Sequence, residues 1–371
     1  MLQTHLSIKE TISLGSFYTP SLLVGFAYNM LNKAISCLSV RSSQYELLDS
    51  SCGYGNFFYG IEKYSFKRIC GMDIDKKAIK VAKNNFPYIN FYHNNALKDV
   101  TRKKFGIDTN SQLIIVGNPP YNDKTSIVKN ELKQQNMFQI DSDLMHRDLG
   151  VSFLLSYAKL QPDFICVLHP LSYLIKETNF KSLKNFTSRY KLINSLIVSS
   201  SFFCTNSISY FPISISLFQK DYRGMSYEYI RNFLFMTLEG RNFKLSAFDY
   251  IGKYIDKYPN KGRVLSSQRV AMFHTMRDIN ALRRSKTFVT QENSNTINVP
   301  QNKYSLYCYV DIFKKMISHI PYYLGNCDIP IDYKNFKNIE KYFVYSSENK
   351  IIHSKVLHYF KTLLGEHYEN K

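Results

Sequence analysis

The chain has 371 residues, enough for two or three domains, and its 44% apolar and 21% charged residues exclude wholesale disorder. Lysine and arginine number 48 against 29 aspartates and glutamates, and a net charge of +19 points to a polyanionic partner, nucleic acid or an anionic membrane surface. No apolar run approaches the ~20 residues that cross a bilayer, and the opening MLQTHLSIKETISLGSF has no basic segment followed by an apolar one. The seven cysteines are odd in number and scattered, with no C-x-x-C pair, so a disulfide framework or cysteine zinc site is not expected and a reducing cytoplasm is. Tryptophan is absent, but 29 tyrosines and 27 phenylalanines bring aromatics to 15%, a surplus over core needs that suits stacking on bases.

In chain order, 45–49 (YELLD) reads as a strand, 56–64 as a helix and 68–73 (RICGMD) as a strand. Asp75 then caps a helix in which Ala78, Ile79 and Ala82 share one face. Strands follow at 89–93 and 113–117 (LIIVG), a helix at 151–160, and strands at 164–169 (FICVLH) and 192–199. Residues 208–218 read as two strand segments, with Pro212 marking an edge or a break. Strands every 20–25 residues with helices between them predict βαβ units, a parallel sheet and an α/β fold. Beyond about residue 221 the alternation fades and Tyr, Asn and Lys become dense, so one domain is expected over 1–221 and a second over 222–371.

Three loops carry chemistry. Asp49-Ser50-Ser51-Cys52-Gly53-Tyr54-Gly55 follows a strand, and its glycines let backbone turn tightly against a ligand, although an ordinary βα turn has the same look. Asp73 ends the next strand, where a carboxylate can accept both hydroxyls of a ribose; Asp75 explains the helix cap and leaves Asp73 free for that role. Asn118-Pro119-Pro120-Tyr121 follows the fourth strand and is the strongest signal. Its two prolines stiffen a loop at the carboxyl edge of the sheet. The Asn118 amide oxygen and Pro119 carbonyl can accept both hydrogens of a planar amino group, with the Tyr121 ring stacked on the plane that carries it.

Together these segments resemble the S-adenosylmethionine-dependent amino-methyltransferases, and N-P-P-Y is the signature of their DNA N6-adenine members. Phe17-Tyr18-Thr19-Pro20 resembles the family's N-terminal F-x-T-P segment, with Pro20 opening a helix. Its position before the cofactor loop is similar to the gamma class from restriction–modification systems. The resemblance covers residues 15 to about 220. It implies a Rossmann-like catalytic domain with a mostly parallel seven-stranded sheet and a smaller C-terminal target-recognition domain.

It further implies that Tyr18, Thr19, Asp49, Cys52 and Gly53 hold the methionine part of S-adenosylmethionine, Asp73 its ribose, and Ile74 and Asn95 its adenine. Two positions depart from the pattern: Asn95 stands where an Asp is usual, and Ser50 where a Pro is. Phe203 would cover the other face of the target base, with Phe202 the next choice and Phe211 assigned to the core. No metal is implied. A flipped adenine in double-stranded DNA is the expected substrate, with the chain a monomer and any cognate restriction endonuclease a separate protein. The basic segments Arg102-Lys103-Lys104 and Arg283-Arg284-Lys286 are candidate phosphate contacts, the second preferred. The rival readings are an RNA or protein-glutamine methyltransferase and a catalytically inactive DNA-binding module. A nicotinamide dehydrogenase fits less well, because the loop reads G-x-G-N-F and a hydride enzyme has no use for N-P-P-Y.

Overall fold

The computed structural model describes residues 17–121, 139–203, 210–259, 264–283 and 286–370. These form two compact units. The first runs to 203 and adds 213–230 and 235–241; the second takes 210–212, 231–234 and 242–370. Among the described residues no helix is long and apolar enough to cross a membrane.

The first unit is built on a sheet. Helix α1 (Ser21–Cys37) starts behind Pro20, whose carbonyl accepts from the Leu23 and Val24 amides. It buries Leu23, Val24, Ala27, Tyr28, Leu31 and Ile35 as one apolar stripe. Strands β1 (Tyr45–Asp49), β2 (Arg68–Asp73), β3 (Asn90–His93), β4 (Gln112–Gly117) and β5 (Phe164–Pro170) pair in the parallel order β3-β2-β1-β4-β5. β1 and β5 are buried along their whole length, and β4 is buried from Leu113 onward, as the near-continuous apolar runs of a doubly covered parallel sheet require. Helix α2 (Lys76–Asn85) links β2 to β3, and the Asp75 carboxylate caps it by accepting from the Lys77 and Ala78 amides. Helix α3 (Leu149–Leu160) is buried on nearly every side except Lys159; its inward Ser156 hydroxyl donates to the Ala96 carbonyl.

β6 (Tyr190–Ser199) and β7 (Pro212–Lys220) complete the core of the sheet. β7 inserts between β5 and β6 and runs antiparallel to β5, from Phe164 opposite Gln219 to Pro170 opposite Ile213. The sheet is Rossmann-like and mostly parallel. It has nine strands where seven are implied: the short β8 (Phe235–Thr237), parallel to β6, and the two-residue β9 (Asn242–Phe243) extend it.

Two expected elements take another form. The helix over 56–64 is two single 3₁₀ turns, Asn56–Phe58 and Ile61–Lys63, because Gly55 and Gly60 before each of them sit at φ 88° and 77°. That left-handed backbone interrupts α-helical continuity at Gly60. The second strand of the 208–218 pair is β7, which Pro212 opens rather than breaks; residues 204–209 lie outside the described segments. Phe211 therefore precedes the strand and is half-buried instead of being core.

In the second unit, β10 (Asp249–Tyr250) pairs with β13 (Pro330–Ile331), and β11 (Arg269–His274) pairs with β12 (Thr296–Pro300). Helices α4 (Tyr304–Lys315), α5 (Tyr333–Asn349) and α6 (Ser354–Leu364) carry its core. The Tyr309 ring lies 5.0–5.9 Å from those of Phe336, Phe343, Tyr359 and Phe360, and its hydroxyl donates to the Pro330 carbonyl at 2.6 Å. Much of the aromatic surplus is thus spent on packing in this unit.

Candidate active site

The order β3-β2-β1-β4 reverses its winding at β1, and ligands of such sheets sit over the carboxyl ends at that switch. A cavity of about 170 Å³ lies there, lined by the loops after β1, β2, β3 and β4, the 17–19 segment and the start of α3.

The β1 loop is held by its neighbours. The Cys52 amide donates to the Met72 carbonyl at 2.9 Å, and the Gly53 amide to Asp73 Oδ2 at 2.8 Å. Asp73 Oδ1 accepts from the Asp75 amide at 2.8 Å, so both Asp73 oxygens fix backbone, and the Ile74 amide acts on the same carboxylate. A Cβ on Gly55 would come within 2.8 Å of the Phe86 ring, so only glycine fits there. Asp49 is 1% exposed, and burial pushes its carboxyl up to about 8 against the opposing pull of the Ser51 amide. Burial raises Asp73 as well. The Cys52 thiol is driven well above its usual range by burial, next to Asp73 and Asp49, which leaves it neutral and a poor nucleophile.

The β4 loop presents Asn118. Its Nδ2 donates to the Thr19 hydroxyl at 3.1 Å, across 99 residues of chain. Its Oδ1 is buried and has no hydrogen-bond partner among the described residues, and the Tyr121 phenol lies close to the same amide. Thr19, 4% exposed, also accepts from Asn56 Nδ2 at its carbonyl, and Asn56 Oδ1 is likewise buried with no partner among the described residues. Buried polar oxygens are normally paired with protein, ordered water or a ligand, which makes both of these candidate acceptors.

Tyr18, Thr19, Asp49, Cys52, Gly53, Asp73, Ile74, Asn95, Asn118 and Pro120 all line the cavity; Pro119, Tyr121 and Phe203 do not. Pro119 is buried beneath the loop, and burial pushes the half-buried Tyr121 phenol up. Phe203 follows the 3₁₀ turn Ser200–Phe202 and is half-buried, while Phe202 is 37% exposed. The Asn95 amide is already engaged: Oδ1 accepts from the Leu97 amide and Nδ2 donates to the Gln139 carbonyl at 2.7 Å, which leaves one lone pair of Oδ1 for a ligand.

Sequence reasoning missed Asn56, Gln139, Leu149 and Phe153, which share the lining. Leu149 and Phe153 stand four apart on α3, a helical pair that the pattern shows as apolar without saying what it faces.

The first basic cluster has another use. The Arg102 guanidinium donates to the carbonyls of Asp108, Thr109, Ser111, Leu160 and Gln161, and Lys104 Nζ to those of Asn95 and Lys98. Donors consumed by backbone cannot hold phosphates, so only Lys103 of that triplet is exposed for such a role. Arg283 and Lys286 are exposed, and Arg284 lies outside the described residues. Among the described residues no group of three or more His, Cys, Asp or Glu is placed to hold a metal.

A doubly wound sheet with a glycine loop, two carboxylates and a rigid acceptor loop around one cavity over its switch point defines a Rossmann-like, ligand-binding α/β enzyme fold. The chain belongs to the N-6 DNA methylase family, whose sequence model matches residues 2–223, and is accordingly a methyltransferase. No curated protein matches it. Among solved structures, a protein assigned as an RNA methyltransferase of Pyrococcus horikoshii is 16% identical at a TM-score of 0.38, with 56% of this chain and 88% of that one covered. A protein assigned as a class I S-adenosylmethionine-dependent methyltransferase of Listeria monocytogenes is 15% identical at 0.41, covering 64% and 69%. The N-methyltransferase NodS of Bradyrhizobium japonicum, in complex with S-adenosylhomocysteine, is 13% identical at 0.32, covering 53% and 86%.

Proposed function

We propose that the protein is a site-specific adenine N6-methyltransferase that uses S-adenosylmethionine and acts on a flipped adenine in duplex DNA. The observation that carries this reading is the Asn118 amide. Thr19 takes one of its N–H groups, and its oxygen has no partner among the described residues, on a side chain that lines a cavity walled by Asp49 and Asp73, by backbone and by apolar groups such as Phe17, Ile74, Leu149 and Phe153.

The residues fit the cofactor. Its ammonium matches the desolvated Asp49, its ribose hydroxyls the acceptor capacity that Asp73 retains beside its backbone bonds, and its adenine the Ile74 side chain with the remaining Asn95 acceptor. A polar atom of the ligand would also satisfy Asn56 Oδ1. When bound, S-adenosylmethionine supplies a methyl group on a positively charged sulfur.

The chain's own part is to prepare the amine. An exocyclic amino nitrogen is a poor nucleophile because its lone pair is delocalised into the ring. Asn118 Oδ1, with the Pro119 carbonyl, would accept its N–H groups, favour a tetrahedral nitrogen and stabilise the charge that grows on it. Prolines 119 and 120 hold those acceptors in place, so positioning costs little at the moment of reaction. Stacking on Tyr121, and on Phe203 from the other face, would offset the few kcal/mol that base flipping costs, at about 1–3 kcal/mol per stacked base.

In this reading the arrangement is of the gamma class, residues 222–371 select the target, the chain acts as a cytoplasmic monomer, and any cognate restriction endonuclease is a separate protein. Asn118→Ala should lower methyl transfer to DNA by at least ~10²-fold while leaving cofactor affinity nearly unchanged. Tritiated methyl incorporation beside calorimetry with S-adenosylhomocysteine reads both; near-normal turnover would remove Asn118 from the mechanism.

A further inference from the structure

The second unit carries a face that the cavity chemistry does not use. Helix α6 is amphipathic: Val356, Tyr359, Phe360 and Leu364 are buried, whereas Ser354, Lys355, His358, Lys361 and Thr362 are exposed. The exposed set falls at i, i+1, i+4, i+7 and i+8, a single stripe. α6 follows α5 after only four residues, 350–353, with Lys350 in the left-handed region at φ 59°.

Between the two helices runs an open groove of about 640 Å³, lined by Asn335 and Asn338 of α5 and by Ser354, Lys355, His358 and Thr362 of α6, together with Ile339 and the buried Tyr359. All of these side chains but Ile339 can hydrogen-bond, and none is a carboxylate. From Tyr333 to Leu364 there are six lysines against two glutamates. Glu340 is taken up by Lys337 and Ser305, and Glu348 accepts from the Tyr304 hydroxyl. Asp332, beside the groove, is spent as the cap of α5, where it accepts from Asn335.

We propose that this stripe of α6 is a duplex-DNA contact that reads base edges, with Lys355 and His358 at its centre and Lys361 on a phosphate; the proposal rests on the duplex-DNA reading above. The match is one of charge and shape. α6 itself carries no carboxylate, and its two lysines rest on tyrosine rings, Lys355 on Tyr342 and Lys361 on Tyr368, with N–H donors to spare, while DNA presents a dense line of phosphates. An 11-residue helix enters a major groove about 12 Å wide. Asn, Ser, Thr, His and Lys offer mixed donors and acceptors, which base edges need and phosphates do not. The short connection between α5 and α6 is of the length that joins the helices of DNA-binding helical pairs.

The test uses the full-length chain. The wild type is first incubated with genomic DNA from a methylation-deficient bacterium, and the modified adenines are mapped to give the target sequence. Fluorescence anisotropy then compares a duplex bearing that sequence with a scrambled one, for wild type, the Lys355→Ala/His358→Ala double variant and Lys361→Ala. Calorimetry with S-adenosylhomocysteine reports that the first unit of each variant is folded, and a thermal melt followed by near-UV circular dichroism, to which the tyrosine-rich second unit contributes, reports on the rest. The double variant is expected to lose at least ~10-fold in affinity for the target duplex and much less for the scrambled one. Lys361→Ala is expected to weaken both alike and to lower the salt slope by about 1. An unchanged target-to-scrambled ratio in a double variant that binds cofactor, with a wild type that methylates DNA, would overturn the assignment of this face and leave the enzymatic reading standing. A wild type that binds cofactor but methylates no DNA would overturn both.

Discussion

In the proposed reading Asn118 works through what it is denied. Thr19 takes one N–H of its amide, two prolines follow it, and its buried oxygen has no hydrogen-bond donor among the described residues. Thr19 and Asn118 were each legible in the sequence as parts of separate motifs. Their bond across 99 residues was not, because nothing local encodes it.

Asp49 gives a pH dependence of definite sign. Its carboxyl is raised from 3.8 to about 8 in the folded chain. Between those values the folded state holds a proton that the unfolded state has lost, so this group's contribution to stability declines as pH rises through that window. A cationic ligand reverses the preference, because it favours the carboxylate. Binding therefore releases a proton below pH 8. Affinity for S-adenosylmethionine should climb as pH rises toward about 8, by up to ~10-fold per unit, and level off above it. Calorimetry in buffers of different ionisation enthalpy measures the release directly. Asp49→Asn should abolish it, and a pH-independent affinity in the wild type would contradict this account.

Among the elements, the strands were the legible part. β1, β4 and β5 are apolar runs buried on both faces, and such runs keep their signal whatever packs on them. The stretch after Gly55 misled for a physical reason: its composition suits a helix, but Gly55 and Gly60 adopt conformations that a helix cannot pass through. The same feature makes a forecast. Gly55→Ala would hold a side chain at φ 88° and press it to within 2.8 Å of Phe86, which already packs edge-on against Phe58 and Tyr59. The variant should lose about 1–3 kcal/mol of stability, read as a lower urea midpoint. A midpoint equal to the wild type would mean that this turn relaxes freely.

At the scale of the whole molecule, the charge of +19 carries its own forecast. Affinity for duplex DNA should fall steeply and linearly in log–log terms with salt, at a slope of about −0.9 per phosphate contact. Anisotropy titrations from low to moderate salt would show it, and a flat response would leave the charge without a nucleic-acid role. Counting basic residues is a poor guide to which of them are free for such contacts. Arg102 looks like one in the sequence and is a staple for five carbonyls, whereas the proposed α6 stripe is spread over nine positions and makes no dense run. The second unit stayed opaque for a related reason. Its strands are short and its helices are rich in tyrosine and lysine, whose apolar bodies and polar tips blur any periodic pattern.

The placement of β7 between β5 and β6 has a consequence for synthesis. The ribosome delivers β6 before β7, yet β6 has no seat beside β5 until β7 has been made and threaded in the opposite direction. At ~5–20 residues per second, the growing chain spends some seconds with the Phe164–Pro170 edge open to solvent. A nascent polypeptide stalled in that interval would present an unpaired, largely apolar strand edge to its neighbours, so the strand order itself sets an interval of aggregation risk during translation.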